Sequence, residues 1–210
     1  MSLSICMGLV LASGASAQSP TETRATCQTV LNEEPMTPVP APPDADPKKL
    51  ALGELLFSDR RLSANGNLAC SSCHDIRSNG ADGGMVTVGE AAAQDKSQDK
   101  SQDTSKPRFD TPTVFNAALS FRLDWEGNFR TFAAQAEASL ESPETMKTSV
   151  DGVVEKLKGD PQTVEQFREA YGQDPDRDNF INALVTFEQS LVTPGSRFDR
   201  WLGGNLYWRL

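Results

Sequence analysis

The run Cys70-Ser71-Ser72-Cys73-His74 constrains this chain more than any other feature. Two thiols three positions apart, with a histidine directly after them, form a c-type haem attachment pattern. Each cysteine can add to one haem vinyl group, and the adjacent imidazole then lies under the porphyrin within reach of the iron. His74 is the one histidine in 210 residues, so the sole imidazole stands where that chemistry needs it. Three other readings of these residues stay open on sequence alone. A thioredoxin-like redox pair would want a βαβ context, and nothing nearby alternates strand and helix. A structural zinc site wants four Cys or His ligands, with the distant Cys27 as the remaining candidate. A disulfide between Cys70 and Cys73 accounts for the sulfurs and leaves the histidine unexplained.

Residues 1–17 read as an export signal. Met1 to Ser4 precede an apolar run, Ile5 to Ala12, and small residues then end in Ala15-Ser16-Ala17, an A-x-A cleavage pattern that starts the mature chain near Gln18. No positive charge precedes the run, and a buried N-terminal helix is the competing reading. The run is too short to span a bilayer, and no other stretch reads as transmembrane. Export implies a periplasmic protein and agrees with haem c, whose attachment takes place outside the bacterial cytoplasm. Cys6 would leave with the signal. Cys27 would remain as a free thiol or an intermolecular contact. The net charge of −9 argues against nucleic acid as partner, because phosphate binding relies on clustered Lys and Arg. An acidic surface suits a basic redox partner or plain solubility.

Residues 18–47 form a polar, proline-rich arm, with six prolines between 35 and 47. Asp46-Pro47 then opens a helix carrying Leu50, Leu52, Leu55, Leu56 and Phe57, which ends near Ser58. Residues 94–105 repeat Gln-Asp-Lys-Ser, Gln-Asp-Lys-Ser, Gln-Asp-Thr-Ser. Such polar tetrads bury no apolar surface and predict a flexible insertion. From Phe129 onward apolar residues recur at helical spacing: Phe132, Ala133, Ala136, Leu140; then Val150, Val153, Val154, Leu157, ending at Gly159. Asp160-Pro161 opens another helix through Phe167 and Tyr171, and the last runs from about Asp176 to Leu191 before Pro194-Gly195. The expected fold is mostly α: a cytochrome c-like haem domain over 48–202 with long loops and few or no strands. The porphyrin itself would supply much of the hydrophobic core.

Several segments, in chain order, resemble the opening of bacterial di-haem cytochrome c peroxidases. They are Leu52-Gly53-Glu54-Leu55-Leu56-Phe57, Asp59-Arg60-Arg61-Leu62-Ser63, the Cys70–His74 motif and Thr111 to Ala118. Trp125-Glu126-Gly127, Gln135-Ala136-Glu137, Phe187 to Leu191, and Thr193-Pro194 through Trp201 complete the set. The resemblance implies reduction of hydrogen peroxide with electrons from a small cytochrome or cupredoxin. It implies one haem c linked through Cys70 and Cys73, with His74 as its proximal ligand. It further implies Trp125 as a residue lying between two haems and Gln135 as a distal-pocket hydrogen-bonding group. Asp110 stands where the family places an inter-domain calcium ligand, one oxygen against the six to eight that calcium prefers.

The departures narrow these implications. The family's distal histidine follows a glycine, and here Val88-Gly89 is followed by Glu90. The sixth iron position is then open, water-filled, or taken by Met85 or Met146. The family's distal glutamate directly precedes a methionine; here Glu144 lies one residue earlier, in Ser142-Pro143-Glu144-Thr145-Met146. As a catalytic acid–base it would serve O–O cleavage; as a helix N-terminal charge it would favour the macrodipole. Residues 203–210 form an atypical tail where the family continues into a second haem domain, and no second Cys-x-x-Cys-His occurs in this sequence. Two functions follow: a peroxidase of this family, or a single-haem electron carrier or inactive remnant without turnover.

Overall fold

The computed structural model describes residues 36–82 and 109–204. The export signal, the arm up to residue 35, Cys27, Met85, Glu90, the 94–105 insertion and residues 205–210 lie outside the described residues. Within residues 39–194, one compact unit, five helices carry the architecture.

Each helix starts at a side chain that satisfies its free N–H groups. Helix α1 spans Pro47–Phe57; the Asp46 carboxylate accepts from the Lys48 N–H at 2.8 Å, and Pro47 has no N–H to satisfy. Helix α2, Phe132–Glu141, is capped by Thr131, and α3, Val150–Lys158, by Ser149. Helix α4, Pro161–Tyr171, starts on Asp160 and stops at Gly172, whose φ of 73° is left-handed. Helix α5, Arg177–Ser190, has a reciprocal box between Asp176 and Asn179. Single 3-10 turns fill Arg60–Leu62, Cys70–Ser72 and Ala117–Leu119. Among the described residues the one strand-like pairing is an antiparallel bridge between Leu123 and Phe129. The fold is mostly α, as expected.

Leu52 and Leu56 of α1, Leu140 of α2, Val150, Val153 and Leu157 of α3, Phe167 of α4, and Phe180 and Leu184 of α5 form one buried cluster of the chain's own side chains. Burying each contributes roughly 1.5–3 kcal/mol, so the helices hold together by aliphatic and aromatic packing. The tightest approach is α1 on α5 at Gly53. A Cβ there would stand 2.2 Å from the Ala183 carbonyl oxygen and 2.7 Å from the Phe187 Cβ.

Residues 195–204 belong to a separate compact unit. It contains a short helix α6, Arg197–Leu202, boxed at its start by Ser196 and Asp199, with Phe198 stacked on Trp201 at 5.5 Å. Six residues are too few for apolar periodicity to reveal.

Candidate functional site

The approach to the Cys-x-x-Cys-His turn is built by Ser63, which is fully buried. Its hydroxyl accepts from the N–H groups of Asn67 and Leu68, both at 3.1 Å, and donates to the Arg60 carbonyl. The Lys156 ammonium of α3 donates to the carbonyls of Ser63, at 2.7 Å, and Arg61. Arg61 in turn spans Asp59, Asp160 and Thr163, so the loop is tied to α3 and α4 before it reaches the motif.

The motif itself is a 3-10 turn. The Ala69 N–H donates to the Ser72 hydroxyl at 2.9 Å, and the His74 N–H to the Cys70 carbonyl at 2.9 Å. This winding puts both cysteines and the histidine on one turn. Cys70 and Cys73 are half-buried and not joined in a disulfide. Burial, with the nearby Glu188 charge, pushes the Cys70 thiol up to about 12; burial, with Asp82, raises Cys73 as well. A thioredoxin-like pair needs the opposite, a thiol pKa lowered toward thiolate. Among the described residues no group of three His, Cys, Asp or Glu side chains gathers as a metal cage, which leaves the zinc reading without ligands there.

His74 is held by its inner nitrogen. Nδ1 lies 3.2 Å from the Gly80 carbonyl oxygen, and with Nδ1–H donating to it, Nε2 is the nitrogen left to bind a metal. Burial keeps the imidazole below its ordinary range, opposed by the Gly80 and Pro112 carbonyls and by the Asp82 charge. Neutral imidazole is the ligating form. The Gly80 carbonyl also accepts from the Val114 N–H at 3.3 Å, and Gly80 has φ +75°. A Cβ there would meet the Thr113 hydroxyl at 2.8 Å and the Phe115 ring at 3.0 Å. The far side of the imidazole faces Phe57, ring centroids 6.4 Å apart, and Phe57 packs on Phe187 at 5.2 Å. A donor set of two neutral thiols and one oriented neutral imidazole fits covalently attached haem.

Trp125 lies elsewhere, on the loop closed by the Leu123–Phe129 bridge. Left-handed Asp124 and Gly127 turn that loop, and the Asp124 carboxylate accepts from the Asn128 N–H at 3.0 Å. The indole N–H donates to the Asp110 carbonyl at 2.7 Å, and its ring stacks on Phe109 at 6.3 Å. Trp125 is 60% exposed, and Phe121 beside it is 89% exposed. The indole is therefore not a core-packing residue in this unit. Asp110 uses its main-chain oxygen to hold that ring.

Gln135 is half-buried on α2, its amide donating to the Ser139 hydroxyl at 2.8 Å. Glu144 is exposed in the turn between α2 and α3, so it is not a helix N-terminal charge. The two are linked through one segment: the Ser139 carbonyl accepts from the Thr145 hydroxyl and from the Met146 N–H. The Met146 side chain lies in the aliphatic core, and its carbonyl accepts from the Ala64 N–H at 2.9 Å. An open cavity of about 280 Å³ is lined by Leu123, Phe132, Ala133 and Val185, with Ser120, Arg130, Thr131 and Gln189 as its polar members.

Two residues escaped the sequence reading. Gly80 had a turn signal beside Asn79 but nothing to connect it with His74. Glu188 lies beside the apolar stripe Phe180, Leu184 and Phe187 of α5, a carboxylate at a core-facing position. Its Oε2 is sealed from solvent with no hydrogen-bond partner, although the residue as a whole is only half-buried. That out-of-place charge was the available signal.

The sequence model for di-haem cytochrome c peroxidases matches residues 47–206. Cytochrome c peroxidase Ccp of Escherichia coli (strain K12) is 35% identical over 82% of this chain and 35% of its own length. Cytochrome c551 peroxidase of Nitrosomonas europaea is 30% identical over 82% of this chain and 48% of its own. The methylamine utilization protein MauG of Methylorubrum extorquens is 35% identical over 76% and 42%. The chain thus spans between about a third and a half of these relatives. A crystal structure of a MauG-like protein associated with microbial copper homeostasis superposes with a TM-score of 0.64 at 24% identity, over 85% of this chain and 51% of that one; it shares the fold. The match runs from the first residue of α1 through the haem-motif turn to the end of α6, and the chain belongs to the di-haem cytochrome c peroxidase family.

Proposed function

We propose that this chain is a periplasmic c-type haem protein that reduces hydrogen peroxide with electrons from a small redox protein, a cytochrome or cupredoxin. The observation that carries the reading is the His74 ring, neutral and tethered by Nδ1 to Gly80, on the same turn as two protonated thiols. Cys70 and Cys73 would hold one haem as thioethers, and His74 Nε2 would take the proximal position. Bound there, haem supplies an iron that passes between oxidation states and accepts a peroxide oxygen.

The remaining roles belong to the chain. The Glu144 carboxylate takes the peroxide proton and returns it to the leaving oxygen, work worth about 10²–10⁴ in rate. Its place in a turn spares it the fixed direction of a helical position one residue out of register. Gln135, braced by Ser139, donates an amide hydrogen in the distal pocket. Trp125, with its indole N–H fixed on Asp110 and its ring open to the outside, lies on the electron entry route. The export signal over residues 1–17 supports the periplasmic location. Among the described residues no helix is long and apolar enough to cross a membrane.

The test is an optical spectrum of protein matured with a cytochrome assembly system, recorded with peroxide and a reduced partner cytochrome. The expected result is one haem by mass and oxidation of the partner on adding peroxide, slowed about 10²-fold or more by Glu144→Gln. A six-coordinate His/Met spectrum indifferent to peroxide would make the chain an electron carrier instead. Colourless protein would overturn the haem assignment.

A further inference from the structure

The buried carboxyl on α5 has no structural partner to explain it. Glu188 Oε2 is sealed from solvent and makes no hydrogen bond. Such a group ordinarily costs stability unless something compensates it. Cys70 on the haem-motif turn is a titratable group whose thiol responds to the Glu188 charge. Among the described residues, the charged side chains on the other elements packed on α5 are exposed or engaged elsewhere: Lys48 of α1 is exposed, Lys49 lies over the Tyr171 ring, Lys156 of α3 donates to the Arg61 and Ser63 carbonyls, and Lys158 pairs with Glu155. Glu54 of α1 and Glu141 of α2 are exposed, Glu137 of α2 pairs with Arg177, and Asp151 of α3 lies by the same arginine. The 117–119 turn is Ala-Ala-Leu.

We propose that Glu188 is the haem's redox-linked proton acceptor, its sealed and unpartnered Oε2 next in the chain to Phe187, which packs through Phe57 onto the His74 ring. The inference rests on the reading that haem is linked at Cys70. Once Cys70 is a thioether it carries no ionisable proton, and the positive charge of the oxidised iron becomes the dominant field at the carboxyl. That field favours carboxylate. When one electron arrives from the external reductant, the field weakens and Glu188 takes one proton from solvent onto its carboxylate oxygen. One electron and one proton enter together, no carbon or sulfur bond changes, and oxidation returns both. Burial raises the carboxyl to about 8, which puts this exchange in the neutral range. Glu188 acts on the iron through space, as a positioning charge.

The experiment is a spectroelectrochemical titration of the haem-loaded full chain between about pH 5 and pH 9, for the natural protein, Glu188→Gln and Glu188→Asp. In the natural protein the midpoint potential is expected to fall as pH rises, approaching one tenfold step in the reduction equilibrium per pH unit, about 59 mV for one electron. Glu188→Gln keeps the absorption spectrum and loses the slope; Glu188→Asp restores part of it. The infrared difference spectrum on reduction should gain a protonated-carboxyl band that is missing in Glu188→Gln. A haem-loaded Glu188→Gln protein with the natural slope, or with the natural carboxyl band, overturns the proposal while leaving the function standing. Protein without haem overturns both.

Discussion

The Nδ1 of His74 is tied to the main-chain oxygen of Gly80, six residues further along, at 3.2 Å. The bond selects which ring nitrogen is available to a metal, and it depends on a glycine at φ +75° pressed against Thr113 and Phe115. The histidine's aim is thus set by a backbone conformation that only glycine adopts readily.

Gly80→Ala is expected to disturb the haem environment. The left-handed backbone costs an L-residue roughly 1–2 kcal/mol, and the new Cβ must also displace Thr113 or Phe115. Less haem-loaded protein and a shifted ferric spectrum are expected. Gly66→Ala is the control: φ is +69° there too, with open space around the Cβ, so it should lose stability by about 1 kcal/mol with the spectrum unchanged.

Gly53→Ala tests the α1–α5 crossing. A methyl 2.2 Å from the Ala183 carbonyl cannot be accommodated by a side-chain rotation, because backbone must move. The expected loss is about 3 kcal/mol, read as a lower urea midpoint with an unchanged m-value.

Arg61 links the loop before the haem motif to α4 through Asp59, Asp160 and Thr163. Its side chain is 39% exposed, so solvent screens the pairs. Arg61→Ala should cost only about 1 kcal/mol, and less in high salt. Lysine cannot reach three acceptors at once. Arg61→Lys should therefore resemble the alanine variant in thermal melts.

Glu188 predicts a pH dependence of stability. Burial raises its carboxyl from 4.5 to about 8 in the folded chain. Between those values the unfolded chain has released a proton that the folded chain still holds, so stability falls as pH rises. The limiting slope is about 1.4 kcal/mol per pH unit. Urea unfolding at pH 5 and pH 8 should show the decline, and Glu188→Gln should flatten it. A natural protein more stable at pH 8 than at pH 5 would contradict this.

The helix starts were legible in the chain because capping is local. Asp46, Asp160 and Asp176 each answer N–H groups two or three residues away, and such pairs are visible in any window of sequence. The cofactor motif was legible for the same reason, since its three groups fall on one turn. Helix α6 was hidden by its brevity. Gln135 and Glu144 were named by resemblance, and only the folded α2–α3 turn shows Gln135 bonded to Ser139, whose carbonyl accepts from Thr145, the residue after Glu144.

By itself the sequence determined the five helices of the 39–194 unit, the Cys-x-x-Cys-His motif and the family, all of which depend on residues near one another in the chain. Tertiary structure alone decided what separate segments do to each other: Gly80 turning the imidazole, Gly53 admitting α5, Trp125 facing outward. It also decided that a glutamate beside an apolar stripe would have a carboxyl oxygen sealed from solvent. Solvent exclusion is a property of packed surfaces, and no stretch of neighbouring residues encodes it alone.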